Sequence, residues 1–143
     1  MRLPRVIIDT NIIISAQRSR RGASSKLISL IGTGLFEIHV SIPLILEYEA
    51  VLSRHRTSLG LSQDDVIDLI DAFCALSTHQ KQIHFSWRPF LPDENDDFIL
   101  DLAVVGQCDY IITYNQRDFA GVEKFGIEVL DAKTFLQTIG VIS

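Results

Sequence analysis

Short runs of apolar residues alternate with longer amphipathic stretches along this chain. Val6–Ile8 and Tyr110–Thr113 are apolar at successive positions, a pattern typical of strands that are covered on both faces. The runs at Phe36–Ser41 and Ile127–Leu130 predict two further short strands. Strands that alternate with helices form a parallel sheet with helices on both faces. The predicted fold is therefore a three-layer α/β/α sandwich with a central parallel sheet.

Helical periodicity and capping residues place the intervening helices. Pro43 fits the first turn of a helix that runs to about Ser53, and Ser62 is expected to cap the next helix. After the first strand we expect a polar, Arg-rich loop that is closed by Gly22. The helix that follows this loop is expected to be capped by Ser24–Ser25.

Polar residues directly follow two of the predicted strands. Asp9, Thr10 and Asn11 come after the first strand, and the turn from Asn115 to Asp118 comes after the third. In parallel α/β sheets, ligands bind beyond the carboxyl ends of the strands. We therefore expect both groups to face a common crevice.

Further carboxylates can reach the same crevice from two helices. Glu47 shares its predicted helical face with Leu44 and Val51, and an inward carboxylate is costly unless it is paired or bound to a cation. Asp96 and Asp97 open a later helix. Gathered carboxylates repel one another, and Mg²⁺ or Mn²⁺ removes that penalty because both ions prefer oxygen ligands. The sequence thus predicts a divalent metal site.

Simpler roles are available for several of these acids. Asp96 could cap its helix, and Asp118 could be a turn residue or could pair with Arg117. Asp101 could be a solvated helical acid or a group close to the site, and Asp109 is expected to be a loop acid. Glu47 and Asp9 are the hardest to explain by such roles, because both are predicted to lie among apolar neighbours.

The net charge of −5 alone argues against a general nucleic-acid binder. The distribution of charge along the chain is more informative. Residues 1–60 contain eight Lys or Arg and four acids, and residues 61–143 contain five and fourteen. Arg18, Arg20 and Arg21 follow the first strand, and their simplest interpretation is a solvated loop or helix end. Beside an acidic metal site they could instead hold phosphates at the rim.

The two cysteines, Cys74 and Cys108, lie far apart, which argues against a disulfide framework or a zinc cluster. No signal peptide or membrane-spanning run is recognisable, so we expect a cytoplasmic protein without a membrane partner.

Four segments together resemble the PIN domain family, in the subgroup of VapC-like toxins of toxin–antitoxin systems. They occur in the family's order and span almost the whole chain. The segments are Val6–Ser15, Ser41–Leu52, Pro92–Ala103 and Tyr110–Phe119.

The resemblance implies a single PIN-like domain over residues 1–143 and assigns roles to the acidic and polar residues. The implied catalytic acids are Asp9, Glu47 and Asp96. The implied metal ligands are Asp9, Asp96, Asn115 and Asp118. The implied supporting residues are Thr10, Asn11, Asp97 and Thr113. Because Asp97 is adjacent to Asp96, the two could exchange roles.

The function implied is a metal-dependent endoribonuclease that cleaves single-stranded RNA. One ion, held by Asp9 and Asp96, would activate a water for attack on phosphorus, and Glu47 would orient or deprotonate that water. A second ion near Asn115 and Asp118 would steady the leaving oxygen. The resemblance also implies the toxin of a type II toxin–antitoxin pair, with a cognate antitoxin as partner and a homodimer as the assembly.

Asn115 departs from the family pattern, because many members have an aspartate at this position. A neutral amide is a weaker metal ligand, so a catalytically weak or inactive PIN-like module that binds RNA or protein is the alternative. A phosphoacceptor receiver domain also places aspartates at strand ends around Mg²⁺. Arg5 and Lys133 do not fit that arrangement, so we rank it last.

Overall fold

The computed structural model describes residues 2–79, 91 and 94–143. The strands are β1 (Arg5–Ile8), β2 (Glu37–Val40), β3 (Thr78–His79), β4 (Tyr110–Ile112) and β5 (Glu128–Leu130). The α-helices are α1 (Thr10–Arg18), α2 (Ala23–Ser29), α3 (Ile42–His55), α4 (Gln63–Leu76), α5 (Glu94–Val105) and α6 (Ala132–Thr138). Two 3₁₀-helices connect β4 to β5, at Gln116–Phe119 and Val122–Phe125.

The strands form one sheet in the order β3-β2-β1-β4-β5, and every adjacent pair is parallel. β1 lies at the centre, with Val6 opposite Ile38 of β2 and Ile8 opposite Ile112 of β4. The chain therefore adds strands on one side of β1 first and then crosses to the other side. This reversal places the carboxyl ends of β1 and β4 side by side, which is where parallel α/β sheets bind ligands.

The helices pack in two groups, one on each face of the sheet. α2 contacts α1 and α6, α3 contacts α4 and α5, and α1 also contacts α3. The ring of Phe135 on α6 packs edge-on against Phe36 and Tyr110, with centroids 5.4 and 5.3 Å apart. Tyr48 on α3 packs against Phe73 on α4 at 5.7 Å. The predicted three-layer α/β/α sandwich with a central parallel sheet is confirmed.

The expected loop after the first strand is wrong, because α1 begins directly at Thr10. Asp9 is its N-cap, and the Asp9 side chain accepts a hydrogen bond from the backbone N–H of Thr10 at 2.7 Å. The β-branched run Ile12–Ile14 gives no helical signal, yet all three residues are buried within α1. Burial of this apolar face therefore outweighs the weak helix propensity of isoleucine.

The predicted cap of α2 is also wrong, whereas that of α4 is confirmed. α2 begins at Ala23 after the N-cap Gly22, so Ser24 lies inside the helix and is buried. Ser62 and Asp65 form a reciprocal capping box at the start of α4. The two-residue strand β3 was not predicted, because two residues carry no periodicity. No helix in the described part of the chain combines the length and apolar character that a membrane crossing requires.

Candidate functional site

Asp9 is the residue from which the site at the carboxyl edge of the sheet is built. Its backbone N–H donates to the carbonyl of Ile112 at 2.9 Å, which ties the end of β1 to the end of β4. Its Oδ1 accepts from the N–H of Thr10, and its Oδ2 accepts from the Thr113 hydroxyl at 2.8 Å and from Asn11 Nδ2 at 3.3 Å. All three donors are neutral, so they fix the orientation of this buried carboxylate without cancelling its charge.

Thr113 and Asn11 form a polar bridge between the two neighbouring strand ends. Thr113 is fully buried, and its hydroxyl accepts from Asn11 Nδ2 and from the N–H of Asn115, both at 3.0 Å. Asn11 Oδ1 accepts from the N–H of Tyr114 at 3.1 Å. Residues that are about one hundred positions apart in the chain thus hold Asp9 and the loop after β4 in a fixed relation.

Helix α3 brings Glu47 to the same edge. The neighbouring residue, Tyr48, is buried, and its hydroxyl donates a hydrogen bond to the carbonyl of Ile8 at the end of β1. Burial raises the pKa of the Tyr48 phenol, and the negative charges of Asp9 and Glu47 raise it further. The charges of both carboxylates therefore act on the Tyr48 phenol.

A cavity of about 520 Å³ collects most of the predicted site residues. It is lined by Asp9, which directly follows β1, and by residues of α1, α3 and the segment after β4. The predicted residues among them are Asp9, Thr10, Asn11, Arg18, Glu47, Asn115 and Asp118. Ile14, Ser15, Val51 and Tyr114 complete the wall.

The remaining predicted residues lie elsewhere. Thr113 is buried behind Asp9, and Arg20 and Arg21 are exposed but do not line the cavity. The side chains of Asp96 and Asp97 lie outside the described residues. Their helix passes close to Glu47, because Phe98 and Ile99 of α5 line a small pocket of about 90 Å³ together with Glu47.

The electrostatics of the site favour a cation. Burial raises the pKa of the Asp9 carboxyl, the hydrogen bonds from Thr113 and Thr10 lower it in part, and the charge of Asp118 raises it again. Asp9 makes no ion pair with any described residue. Among the described side chains, no three His, Cys, Asp or Glu residues are close enough together to hold a metal ion. Mg²⁺ needs only one or two carboxylates, since it retains several waters, and the oxygens of Asp9, Glu47, Asn115 and Asp118 fit that requirement.

Two tyrosines of this region were given no role in the site by the sequence. In the sequence, Tyr48 is one of several apolar positions on α3, and no neighbouring residue indicates its hydrogen bond to β1. Tyr114 does carry a signal, because it is an aromatic residue placed between a strand end and a polar turn. Its hydroxyl shares a hydrogen bond of 2.5 Å with Ser24 of α2.

The fold and the cavity define an α/β/α domain with an acidic crevice where the strand order of a parallel sheet reverses. Residues 5–117 match the family model for the PIN domain. The chain belongs to the PIN domain family, which confirms the resemblance and sets aside the receiver domain.

Solved structures with the same fold include two VapBC complexes. One is VapBC2 from Rickettsia felis bound to a DNA fragment from its promoter, with a TM-score of 0.60 and 15% identity over 89% of this chain and 99% of that chain. The other is VapBC-1 from nontypeable Haemophilus influenzae, with a TM-score of 0.57 and 20% identity over 90% of this chain and 98% of that chain. At these identities the likeness concerns the fold. No curated protein matches the chain at a significant level.

Proposed function

We propose that this protein is a metal-dependent endoribonuclease that cleaves single-stranded RNA. The observation that carries the proposal is the buried Asp9, which neutral donors hold in place at a cavity shared with Glu47 and Asp118. PIN domains are typically nucleases and generally use divalent metal ions, and both properties agree with an acidic, oxygen-rich cavity.

The cation would be Mg²⁺ or Mn²⁺, which Asp9 and Asp96 would hold, with Asn115 and Asp118 as further ligands. When bound, it supplies a polarised water and offsets the negative charge of the phosphate. Thr113 and Asn11 keep Asp9 in one orientation through their hydrogen bonds. Glu47 acts as the general base that accepts the proton of the attacking water. Arg18, at the same cavity, contacts a substrate phosphate.

The test is cleavage of labelled single-stranded RNA by purified protein with Mg²⁺, with Mn²⁺ and with EDTA. We expect cleavage with either ion and none with EDTA. Asp9→Asn and Glu47→Gln should each lower the rate by at least about 100-fold, within the range for a general base or a metal ligand. Asp71→Asn is the matched control, because Asp71 is an exposed acid on α4 that does not line the cavity. Equal cleavage by wild type and Asp9→Asn would refute the proposal.

We further propose that the protein is the toxin of a type II toxin–antitoxin pair and forms a homodimer. The VapBC neighbours support an antitoxin partner. An apolar strip on α3 also suits a protein partner, since Ile42 and Leu46, one turn apart, are 69% and 58% exposed. Co-expression with the product of a short neighbouring gene should yield a complex that Leu46→Lys weakens. Size-exclusion chromatography with light scattering tests the dimer, and a monomer at micromolar concentration would contradict it.

The second candidate is a PIN-like module that binds RNA or protein without cleaving it. Asn115 favours this candidate, because a neutral amide in the cavity offers less to a second cation than a carboxylate does. It predicts that Mg²⁺ or Mn²⁺ raises the melting temperature while varied RNAs stay intact. Asn115→Asp should then produce or increase cleavage.

A further inference from the structure

Two neighbouring cavities at the carboxyl edge of the sheet share Tyr114. The first is the acidic cavity described above. The second has a volume of about 420 Å³ and belongs to the loop after β4. Its lining residues are Tyr114, Asn115, Gln116, Arg117 and Asp118. Because Tyr114, Asn115 and Asp118 line both cavities, the two cavities adjoin each other at these residues.

Tyr114 is held at both of its ends and is nevertheless open to solvent. Its backbone N–H donates to Asn11 Oδ1 at 3.1 Å, and its hydroxyl is fixed at 2.5 Å from the hydroxyl of the buried Ser24. The residue is still 46% exposed. Since the polar tip is tied to a buried partner, the exposed area belongs mainly to the ring. A rigid aromatic ring is thus presented at the boundary of the two cavities.

This arrangement matches the chemistry of a single nucleotide. Exposed aromatic rings bind single strands by stacking against bases, and the contact tolerates any sequence because every base has a π-face. In the second cavity the guanidinium of Arg117 can pair with a phosphate beside the carboxylate of Asp118, and Asn115 and Gln116 provide amide groups.

We propose that Tyr114 stacks on an unpaired base and that the second cavity holds the nucleotide next to the one whose phosphate lies at Asp9. This inference rests on the proposed nuclease function and names a positioning residue for it. It also gives a physical reason for a single-stranded substrate. A base in a duplex is already stacked on its neighbours, so it reaches Tyr114 only after unpairing, which costs free energy.

The test is the binding of a short fluorescent single-stranded RNA to protein that carries Asp9→Asn, measured by anisotropy with Mg²⁺ present. Tyr114→Leu keeps an apolar side chain but removes the ring and should weaken binding roughly 5- to 150-fold. Tyr114→Phe keeps the ring and should change binding less than about threefold. Phe125→Leu is the matched control, because Phe125 is 47% exposed and lines neither cavity.

An abasic scan of the same RNA locates the stacked base. At one position, removal of the base should weaken binding to Tyr114 protein and should leave binding to the Tyr114→Leu variant unchanged. Equal losses in both proteins at every position would overturn the proposal. So would equal losses for Tyr114→Phe and Tyr114→Leu, because the hydroxyl bond to Ser24 would then be the feature that matters, and Ser24→Ala would reproduce the loss.

Arg117 provides an independent measurement. Arg117→Gln should reduce the slope of log affinity against log salt by about one, since one phosphate contact is lost. Arg56→Gln, at an exposed arginine that lines neither cavity, should leave the slope unchanged. An unchanged slope for Arg117→Gln would show that Arg117 makes no phosphate contact, which contradicts the proposed place of the nucleotide in the second cavity.

The two proposals fail in different ways. If wild type cleaves RNA and Tyr114→Leu changes neither cleavage nor RNA binding, the stacking role is rejected and the nuclease function stands. Tyr114-dependent binding without cleavage would reject the nuclease and keep the stacking role. Loss of a protein partner with Tyr114→Leu, while RNA binding is unaffected, would overturn the inference in favour of a protein contact.

Discussion

The two edges of the sheet both gather charged residues, but they satisfy those charges in different ways. At the amino edge, Asp109 accepts from Arg2 Nη2 at 3.0 Å and from the N–H of Arg5 at 2.9 Å. Glu37, at the start of β2, accepts from the Thr78 hydroxyl at 2.6 Å and lies 3.4 Å from His39 Nε2. Each of these acids thus has a donor or a cation supplied by the protein itself.

At the carboxyl edge, the acid at the centre has no such cation. Asp9 makes no ion pair with a described residue, and the nearby charge of Asp118 repels it. The difference teaches that acids at strand ends do not by themselves indicate a functional site. An acid that its described neighbours orient only through neutral donors is the stronger candidate, because a bound cation would offset its charge.

The largest effect that sharpens this comparison is expected at the bridge between β1 and β4. Thr113→Val keeps the shape of the side chain but removes the hydroxyl that donates to Asp9 and accepts from Asn11. Loss of an orienting partner of a metal ligand typically costs 10- to 100-fold, so cleavage should fall by about that factor. The measurement is the initial rate of RNA cleavage at saturating Mg²⁺, after circular dichroism has shown that the variant is folded. A rate within about twofold of wild type would contradict the proposal that the Thr113 hydroxyl orients Asp9 for cleavage.

At the amino edge, we expect a substitution to lower the stability of the fold without changing the rate of cleavage. A Cβ atom at Gly106 would lie 3.0 Å from His39 Nδ1, 3.1 Å from Cys108 Sγ and 3.1 Å from the carbonyl oxygen of Leu102. Gly106→Ala should therefore lower the free energy of unfolding by about 1–3 kcal/mol in urea denaturation. Val104→Ala, at an exposed position of α5, which ends just before Gly106, is the control and should change the free energy of unfolding little. Cleavage per folded molecule should stay the same.

A smaller effect is expected at the charge pair of the amino edge. Asp109→Asn removes the ion pair with Arg2 and weakens the acceptor for the N–H of Arg5. Both partners of the ion pair are substantially exposed, so we expect a loss of about 0.5–1.5 kcal/mol, mainly from the backbone hydrogen bond. Thermal melting monitored by circular dichroism measures this loss. A strong loss of cleavage in the folded variant would contradict the expectation that the amino edge contributes to stability and the carboxyl edge to chemistry.

The smallest effect is expected in the pH dependence of stability. Burial lowers the pKa of His39, with smaller contributions from Arg5 and Arg2, while the charges of Glu37 and Asp109 raise it in part. Because the unfolded chain binds this proton at a higher pH than the folded chain, stability falls as pH drops below the ordinary histidine pKa of about 6.5. In urea denaturation from pH 7 to pH 5, His39→Gln should show a shallower decline than wild type. A parallel decline would show that His39 does not contribute to it.

The sequence predicts the strands of the site well, because Val6–Ile8 and Tyr110–Thr113 are apolar runs that end in polar residues. Asp9 and Glu47 could be singled out because each is an acid among apolar neighbours. α1 could not be predicted, because its isoleucines favour strands when they are considered alone. The bond between Thr113 and Asp9, and the bond between Tyr48 and Ile8, join residues that only the folded sheet brings together. The roles of Asp96 and Asp97 remain predictions from the sequence.

The hydrogen bond between Asp9 and Thr113 also bears on the synthesis of the protein. Asp9 leaves the ribosome 104 residues before Thr113 does. Until β4 has docked beside β1, the carboxylate lacks both its hydroxyl donor and the second wall of its cavity. The acidic cavity is therefore completed only after β4 has been synthesised and has docked beside β1.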